Sequence, residues 1–307
     1  RAWLTSRDTR EAVSRRARLF DVAPVREMQK RGWIKTADDV STLESHVTDF
    51  FGVSTGDDIR RAPVPLAARQ SGVYNVFNPS TNAWAQRVRR LALAVTVRRQ
   101  FTDSSFADCI ARLRLLFSEP EEARHVPRIL ADHGIRFLVV QHLPHTRLDG
   151  ACLWLDSGRP IVAMSMRYER LDNFWYTLMH ELGHVKERDG LDVGGVVDFD
   201  LIGGDGGQAS GEKPEYEHKA DVFAEGALIP TGELDNFIAR VRPLYSKERI
   251  RLFAKRIGVH PALVVGQLQH RKEIEFSHSR DFMKDKLRQM ITDNALTDGW
   301  GHEPLTL

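Results

Sequence analysis

The apolar positions of the first 135 residues recur mostly with a helical period. In residues 40–51 they are Val40, Leu43, Val47, Phe50 and Phe51. Residues three and four apart lie on one face of an α-helix, so this spacing predicts a helix with one buried side. We expect Thr36 to cap its N-terminus and Gly52 to end it. Ser80 or Thr81 is the expected start of another strongly periodic helix.

Three short runs between residues 136 and 166 have a different character, because they are rich in Val, Ile, Leu and aromatic residues. The turn residues that separate them are Asp149, Gly150, Ser157, Gly158 and Pro160. This pattern predicts a small sheet with at least one hairpin. Helical signals return at Leu171 and persist to the C-terminus, interrupted by a Gly- and Asp-rich segment at 189–214. The predicted fold class is therefore α+β.

A metal-ligand pattern lies on the helix that follows these runs. His180 and His184 are four residues apart, and Glu181 follows the first of them. On a helix this spacing lets both imidazoles reach one ion, while the carboxylate of Glu181 can reach a water molecule at that ion. The alternative is a chance pattern on a solvated helix face. Gly183 weakens helix propensity, and a close backbone neighbour would explain its presence.

A second predicted helix, between Pro214 and Pro230, offers the missing ligand. Helical spacing places Glu217 and Asp221 on one face, so Glu217 can complete a set of two histidines and one carboxylate. Asp221 can then accept the free N–H of a ligand histidine. His218 is the second choice as ligand. The alternative is an ordinary amphipathic helix whose acids face water.

These two segments, FWYTLMHELGH and EHKADVFAEGALIP, resemble the ImmA/IrrE family of gluzincin-like zinc metallopeptidases. The resemblance covers roughly residues 130–270 and includes Glu217, Ala220, Asp221, Phe223 and Ala224. It implies a mainly helical N-terminal region followed by a zincin-like domain with a small sheet and an HExxH active-site helix. The expected domains are residues 1–125, 126–275 and a helical tail at 276–307.

The resemblance also implies a function. It predicts a Zn²⁺ endopeptidase in which His180, His184 and Glu217 hold the metal and Glu181 is the catalytic base. The expected substrate is a repressor or antitoxin of the helix-turn-helix type, in a stress, phage-related or toxin–antitoxin system. Longer family members carry an upstream helix-turn-helix regulator, so DNA is a possible partner through a segment before Arg1. The other hypothesis is a DNA-binding regulator or antitoxin whose peptidase-like domain acts as a sensor.

Several further elements have two interpretations. Tyr168, Tyr216 and His218 are candidate transition-state stabilisers, although surface or packing roles suit each of them as well. The run at 159–166 predicts either an edge strand that pairs with substrate or an ordinary core strand. The segment at 189–214 predicts either a mobile lid or a surface excursion. Residues 250–268 favour a packed helical hairpin over a DNA-binding helix pair.

The composition of the chain limits the class of protein, its partners and its cellular compartment. The chain of 307 residues is 42% hydrophobic and 28% charged, as is typical of globular proteins. The net charge is only +2, although residues 1–35 carry ten basic and four acidic residues, which hints at an anionic partner or a solvated helix face. The two cysteines favour a reducing compartment. No long apolar run or signal peptide is visible, so we expect a cytoplasmic protein without a membrane partner.

Overall fold

The computed structural model describes residues 2–61, 67–68, 77–199, 201, 213–278, 282 and 287–299. These residues form an α+β fold, which confirms the predicted class. None of the helices in these ranges is both long enough and apolar enough to cross a bilayer.

Helices make up most of the chain before the first long strand. They are α1 (Ala2–Val22), α2 (Val25–Lys30), α3 (Val40–Phe51), α4 (Gly56–Arg61), α5 (Pro79–Ala94), α6 (Asp103–Arg114) and α7 (Val126–Asp132). The later helices are α8 (Leu171–Glu187), α9 (Glu215–Leu228), α10 (Thr231–Val241), α11 (Lys247–Ile257), α12 (Pro261–His270) and α13 (Leu287–Thr292).

The strands form one mixed sheet in the order β1-β5-β3-β4-β2-β6. They are β1 (Ala67–Ala68), β2 (Arg136–Val140), β3 (Leu148–Trp154), β4 (Pro160–Met164), β5 (Gly195–Phe199) and β6 (Leu296–Asp298). The expected hairpin is present, because β3 and β4 pair antiparallel with Leu153 opposite Ile161. Strand β2 pairs parallel with both β4 and β6, whereas β3 pairs antiparallel with β5.

The sheet is buried on both faces. Along β3, Ala151 and Leu153 join one hydrophobic cluster, whereas Cys152 and Trp154 join another. Successive side chains of a strand point to opposite faces, so the two clusters lie on opposite sides of the sheet. The first cluster packs against the N-terminal helices α1 to α5, and the second packs against α6 to α12.

The domain boundaries expected from the sequence stay predictions.

The ends of two helices differ from expectation. Helix α3 begins at Val40, and its N-cap is Asp39, whose carboxylate accepts the N–H of Thr42 at 2.8 Å. Thr36 was therefore the wrong choice. Helix α5 begins at Pro79 after the N-cap Asn78, one to two residues before the expected start. Asp and Asn cap more strongly than Thr because their side-chain oxygen reaches the first free N–H groups more readily. Gly52 ends α3 in the left-handed conformation, as predicted.

The C-terminal region is not wholly helical, because β6 follows α13 and adds a strand at the edge of the sheet beside β2. The Asp298 carboxylate at its end accepts a hydrogen bond from Trp33 Nε1 at 3.1 Å. It also forms an ion pair with Arg87 of α5. Arg31 donates to the carbonyl oxygens of Gln141 and His142, at 2.7 and 2.9 Å. The last strand and the N-terminal helices thus share one polar junction.

The helical hairpin near the C-terminus is a packed structural element. Helix α12 buries most of its residues, including Leu263, Val264 and Leu268, against α8 and α11. A recognition helix needs an exposed face to enter a DNA groove. The structural interpretation of residues 250–268 is therefore confirmed.

Candidate metal centre

Helix α8, which carries the HExxH pattern, lies at the centre of the fold. It packs against β3, β4, α9 and α12. All of its residues from Leu171 to Val185 are buried, including the polar ones. The alternative of a chance pattern on a solvated face is therefore wrong for this helix, since its histidines lie in the interior.

Helices α8 and α9 approach each other closely at Gly183. A Cβ atom added at Gly183 would lie 3.0 Å from Ala220 Cα and 3.3 Å from Phe223 Cδ1. The close backbone neighbour expected from the sequence is thus Ala220. This contact brings the ligand-bearing faces of the two helices together, because Glu217 lies almost one turn before Ala220.

We expect Gly183→Leu to lower the free energy of unfolding by roughly 1–3 kcal/mol, because the larger side chain forces the helices apart. The matched control is Gly226→Leu in α9, since a Cβ at Gly226 meets no atom within 4 Å. Leucine favours a helix over glycine by up to about 1 kcal/mol, so the control variant is as stable as the wild type or more so. Urea unfolding followed by circular dichroism measures both. Equal effects at the two sites would contradict the close-packing argument.

Four buried side chains converge between α8, α9 and β5. They are His180, His184, Asp198 and Glu217, and each is 0% exposed. The two Nε2 atoms of the histidines are 3.1 Å apart. Glu217 lies 3.4 Å from His180 Nε2 and 3.8 Å from His184 Nε2. Asp198 Oδ2 lies 3.7 and 3.5 Å from the same two atoms. The predicted ligands His180, His184 and Glu217 are thus brought together, and Asp198 joins them.

These distances fit the coordination shell of a small divalent ion. Zinc binds imidazole nitrogen and carboxylate oxygen at about 2.0–2.1 Å, so the ligand atoms of a regular tetrahedron lie about 3.3–3.4 Å apart. The five distances above range from 3.1 to 3.8 Å. Two imidazoles among the ligands favour a transition-type ion such as zinc over Mg²⁺ or Ca²⁺, which prefer oxygen.

A carboxylate lies beside the outer nitrogen of each histidine. His180 Nδ1 lies 3.0 Å from Asp221 Oδ1, and His184 Nδ1 lies 2.8 Å from Asp189 Oδ2. A carboxylate at Nδ1 fixes the tautomer that turns the lone pair of Nε2 inward, as metal-binding histidines require. Asp221 thus lies beside His180, where the sequence interpretation expects it, whereas that interpretation missed Asp189.

Asp221 is itself held in place by two groups. Tyr176, on the same helix as the histidines, donates its hydroxyl to Asp221 Oδ1 at 2.9 Å. Lys213 forms an ion pair with the other oxygen of the same carboxylate. These contacts orient Asp221 toward His180.

Glu181 is a buried carboxyl group beside the cluster. Neither of its oxygens has a hydrogen-bond partner among the described residues. Gly150 of β3 makes room for it, since a Cβ there would lie 2.2 Å from Glu181 Oε1. Burial, and then the negative charge of Asp198, raise the pKa of Glu181 well above its usual range. A carboxyl group with a raised pKa is suited to accept and return a proton near neutral pH.

The charges of the cluster attract a cation. Burial opposes protonation of His180, but the carboxylates of Asp198 and Glu217 outweigh it and raise the pKa of His180 to about 9. Burial raises the pKa of Glu217, and the charge of Asp198 raises it further. Three buried carboxyl groups thus surround two imidazoles. A divalent cation at the centre would compensate them far better than water, which the interior excludes.

The other candidate residues lie in different places. The Tyr216 ring is 6.0 Å from the ring of His184, so this tyrosine borders the cluster. Tyr168 is 38% exposed, and its hydroxyl accepts a hydrogen bond from Arg167. His218 is exposed and is not among the four clustered side chains.

The structure decides between the two interpretations of one segment near the site and corrects the expectation for another. Strand β4 lies between β3 and β2 in the sheet, so the run at 159–166 is a core strand and cannot pair with a substrate as an edge. The segment at 189–214 is not a loop throughout, because it contains β5 and thereby Asp198. Residues 200 and 202–212 of that segment, where a lid was expected, lie outside the described residues.

No family model matches this chain, and no curated protein matches it either.

Proposed function

We propose that this protein is a zinc-dependent endopeptidase of the ImmA/IrrE type. The observation that supports this most strongly is the convergence of His180, His184 and Glu217 from two helices, with the Glu181 carboxyl group beside them. Two imidazoles and one carboxylate are the ligand set of many catalytic zinc sites. The cluster is consistent with a zincin-like domain around α8 and the sheet.

Each residue of the site has a distinct role in the proposed peptide hydrolysis. His180, His184 and Glu217 would hold a zinc ion, which would polarise the scissile carbonyl group and make water more acidic. Glu181 accepts one proton from the attacking water, whose oxygen bonds to the carbonyl carbon. The carbon–nitrogen bond then breaks, and Glu181 delivers the proton to the leaving amine. Asp221 and Asp189 hold the two imidazoles, and Tyr216, next to His184, is the candidate to stabilise the transition state.

The substrate class rests on the sequence resemblance. It suggests a cytoplasmic enzyme that cleaves a repressor or antitoxin of the helix-turn-helix type, within stress, phage-related or toxin–antitoxin regulation. The resemblance also makes DNA a partner to test, because longer family members carry a DNA-binding regulator.

One observation favours the alternative, in which the domain is a sensor inside a transcription regulator or antitoxin. His180, Glu181 and His184 are all 0% exposed, so no peptide can reach them in this conformation. In a sensor, zinc would be bound and released without turnover.

The test uses the full chain loaded with one zinc ion and a library of unstructured peptides analysed by mass spectrometry. We expect cleavage by the zinc-loaded protein, no cleavage after removal of the metal with a chelator, and recovery when zinc is returned. A second sample contains a helix-turn-helix repressor as substrate, which tests the substrate class separately. Tight zinc binding without cleavage in either sample would reject the peptidase and favour the sensor.

A further inference from the structure

Asp198 is a buried carboxylate that the proposed mechanism does not use. It lies on β5 opposite Gly150 of β3, the residue that makes room for Glu181. The neighbouring Val197 belongs to the cluster on the N-terminal side of the sheet, so Asp198 points to the opposite side, toward α8. Asp198 is 0% exposed, and neither oxygen accepts a hydrogen bond from the residues that the structure describes.

A buried carboxylate without donors is unfavourable unless a cation compensates it. The nearest partners of Asp198 Oδ2 are the two inward Nε2 atoms, at 3.7 and 3.5 Å. Its distances to the histidines are similar to those of Glu217, which are 3.4 and 3.8 Å. By geometry, Asp198 is as well placed as Glu217 to bind an ion that both imidazoles bind.

We propose that Asp198 is a fourth protein ligand, and that it fills the position which hydrolysis requires to be open. The described conformation is then a closed form of the metal site, and activity requires β5 to withdraw Asp198. The ligation follows from the geometry alone. The inhibitory role rests on the proposed peptidase function.

The position of β5 allows such a withdrawal. Leu148 pairs with Phe199 and Gly150 pairs with Asp198, so Asp149 is an extra residue in β3, which forms a bulge. Such bulges are common next to active sites, where they redirect a strand. The Asp149 carboxylate accepts the N–H of Leu201 at 2.8 Å. This hydrogen bond ties the end of β5 to β3, so the withdrawal of Asp198 has to break it.

The ligand helices would stay in place during this movement. His180 and His184 are fixed through α8 in the core, and Glu217 is fixed by the contact between α8 and α9. Asp198 depends instead on the pairing of β5 with β3. On its other side, β5 pairs only with the two residues of β1 within the described part of the chain. A partner or substrate that displaces β5 would therefore open one position of the metal site and leave three ligands intact.

A thiolate introduced at position 198 tests the ligation directly. Asp198→Cys, loaded with Co²⁺, is expected to show a sulfur-to-cobalt charge-transfer band in the near ultraviolet, because thiolates bind such ions strongly. The matched control is Asp192→Cys, whose native residue is exposed in the turn before β5, and it should give no band. Absence of the band from the cobalt-loaded Asp198→Cys protein would overturn the proposal.

Azide, a small anion that binds to an open coordination position, tests the closure. We expect the visible spectrum of cobalt-loaded Asp198→Ala to change at azide concentrations roughly tenfold or more below those that affect the wild type. Asp192→Ala should behave as the wild type. Equal azide binding by wild type and Asp198→Ala would overturn the claim that Asp198 fills the fourth position. The visible spectrum decides this without any measurement of hydrolysis.

Hydrolysis then separates this inference from the proposed function. If the enzyme proposal holds, zinc-loaded Asp198→Ala cleaves the peptide library roughly tenfold or more faster than the wild type, because the fourth position is open and the metal no longer holds β5 in place. If the spectra behave as expected but neither protein cleaves any peptide, Asp198 is a ligand of a closed, non-catalytic site. In that case the ligation stands, while the inhibitory role and the peptidase both fail.

Discussion

Glu181→Gln is expected to lower peptide hydrolysis by roughly 10²- to 10⁴-fold, the usual contribution of a general base. Glutamine has nearly the same shape as glutamate, so it fits the space beside Gly150 that the carboxyl group occupies. It cannot accept a proton at neutral pH, and the step that activates water is lost. The ligands His180, His184 and Glu217 are unchanged, so the variant should bind one zinc ion per chain as the wild type does.

Two measurements on the same protein sample decide the outcome. Zinc content by elemental analysis shows whether the site is intact, and the rate of peptide cleavage shows whether the base is lost. Asp192→Asn, at an exposed carboxylate, serves as the matched control and should leave both values unchanged. A Glu181→Gln protein that still exerts the regulatory effect of the wild type in the cell would show that peptide hydrolysis is not the function. The sensor hypothesis would then be the better one.

His184→Ala is expected to abolish the stabilisation of the fold by zinc. An ion that binds only the folded chain stabilises it by about 2.7 kcal/mol at a concentration 100 times its Kd. For the wild type this should raise the Tm by several degrees when zinc is added to the metal-free protein. Without His184, the site loses one of its two nitrogen ligands, and its metal content should fall to nearly zero. Differential scanning calorimetry with and without zinc measures the shift.

The control for this experiment is His218→Ala. His218 lies on the same helix as Glu217, but it is exposed and is not among the clustered side chains. Its removal should leave the zinc-dependent rise of the Tm intact. If His184→Ala gains as much stability from zinc as the wild type does, the metal is bound elsewhere and the site described above is not its location.

The sequence was most informative where the chemistry depends on local spacing. The relation between His180 and His184 is set by one turn of a helix, and that between Glu217 and Asp221 by another. Their convergence could be expected because Gly183 and Ala220 offered small residues on the facing sides. The contact between Asp221 and His180 follows from this convergence, because Asp221 lies one turn after Glu217 on α9.

The parts that could not be predicted depend on pairing between distant segments. Asp198 reaches the cluster only because β5 pairs with β3, which lies more than forty residues earlier in the chain. Val196 and Val197 are both buried, so β5 shows no alternation of apolar and polar residues that would reveal a strand. Its glycine-rich surroundings suggested a loop instead. The place of β4 inside the sheet was equally hidden, since strand order is not encoded in the pattern of a single strand.

Asp189 lies close to its partner in sequence, but its contact with His184 could not be predicted from helical spacing. It lies only five residues after His184, but it follows the end of α8 and reaches back to the ring through the turn that Arg188 makes in the left-handed conformation. Helical spacing does not apply beyond the last turn of a helix. A turn signal such as the Asp189–Gly190 pair indicates where the chain bends, without showing where the carboxylate points.

The polar junction around Asp298 has a practical consequence for shortened versions of the protein. Because β6 supplies the carboxylate that Trp33 and Arg87 contact, deleting residues 296–299 would leave the indole N–H of Trp33 and the guanidinium group of Arg87 without that acceptor. Removal of β6 would thus weaken the packing of the N-terminal helices. A shorter fragment that begins at the sheet, or stops before Leu296, should be less soluble and easier to digest with trypsin than the longer chain.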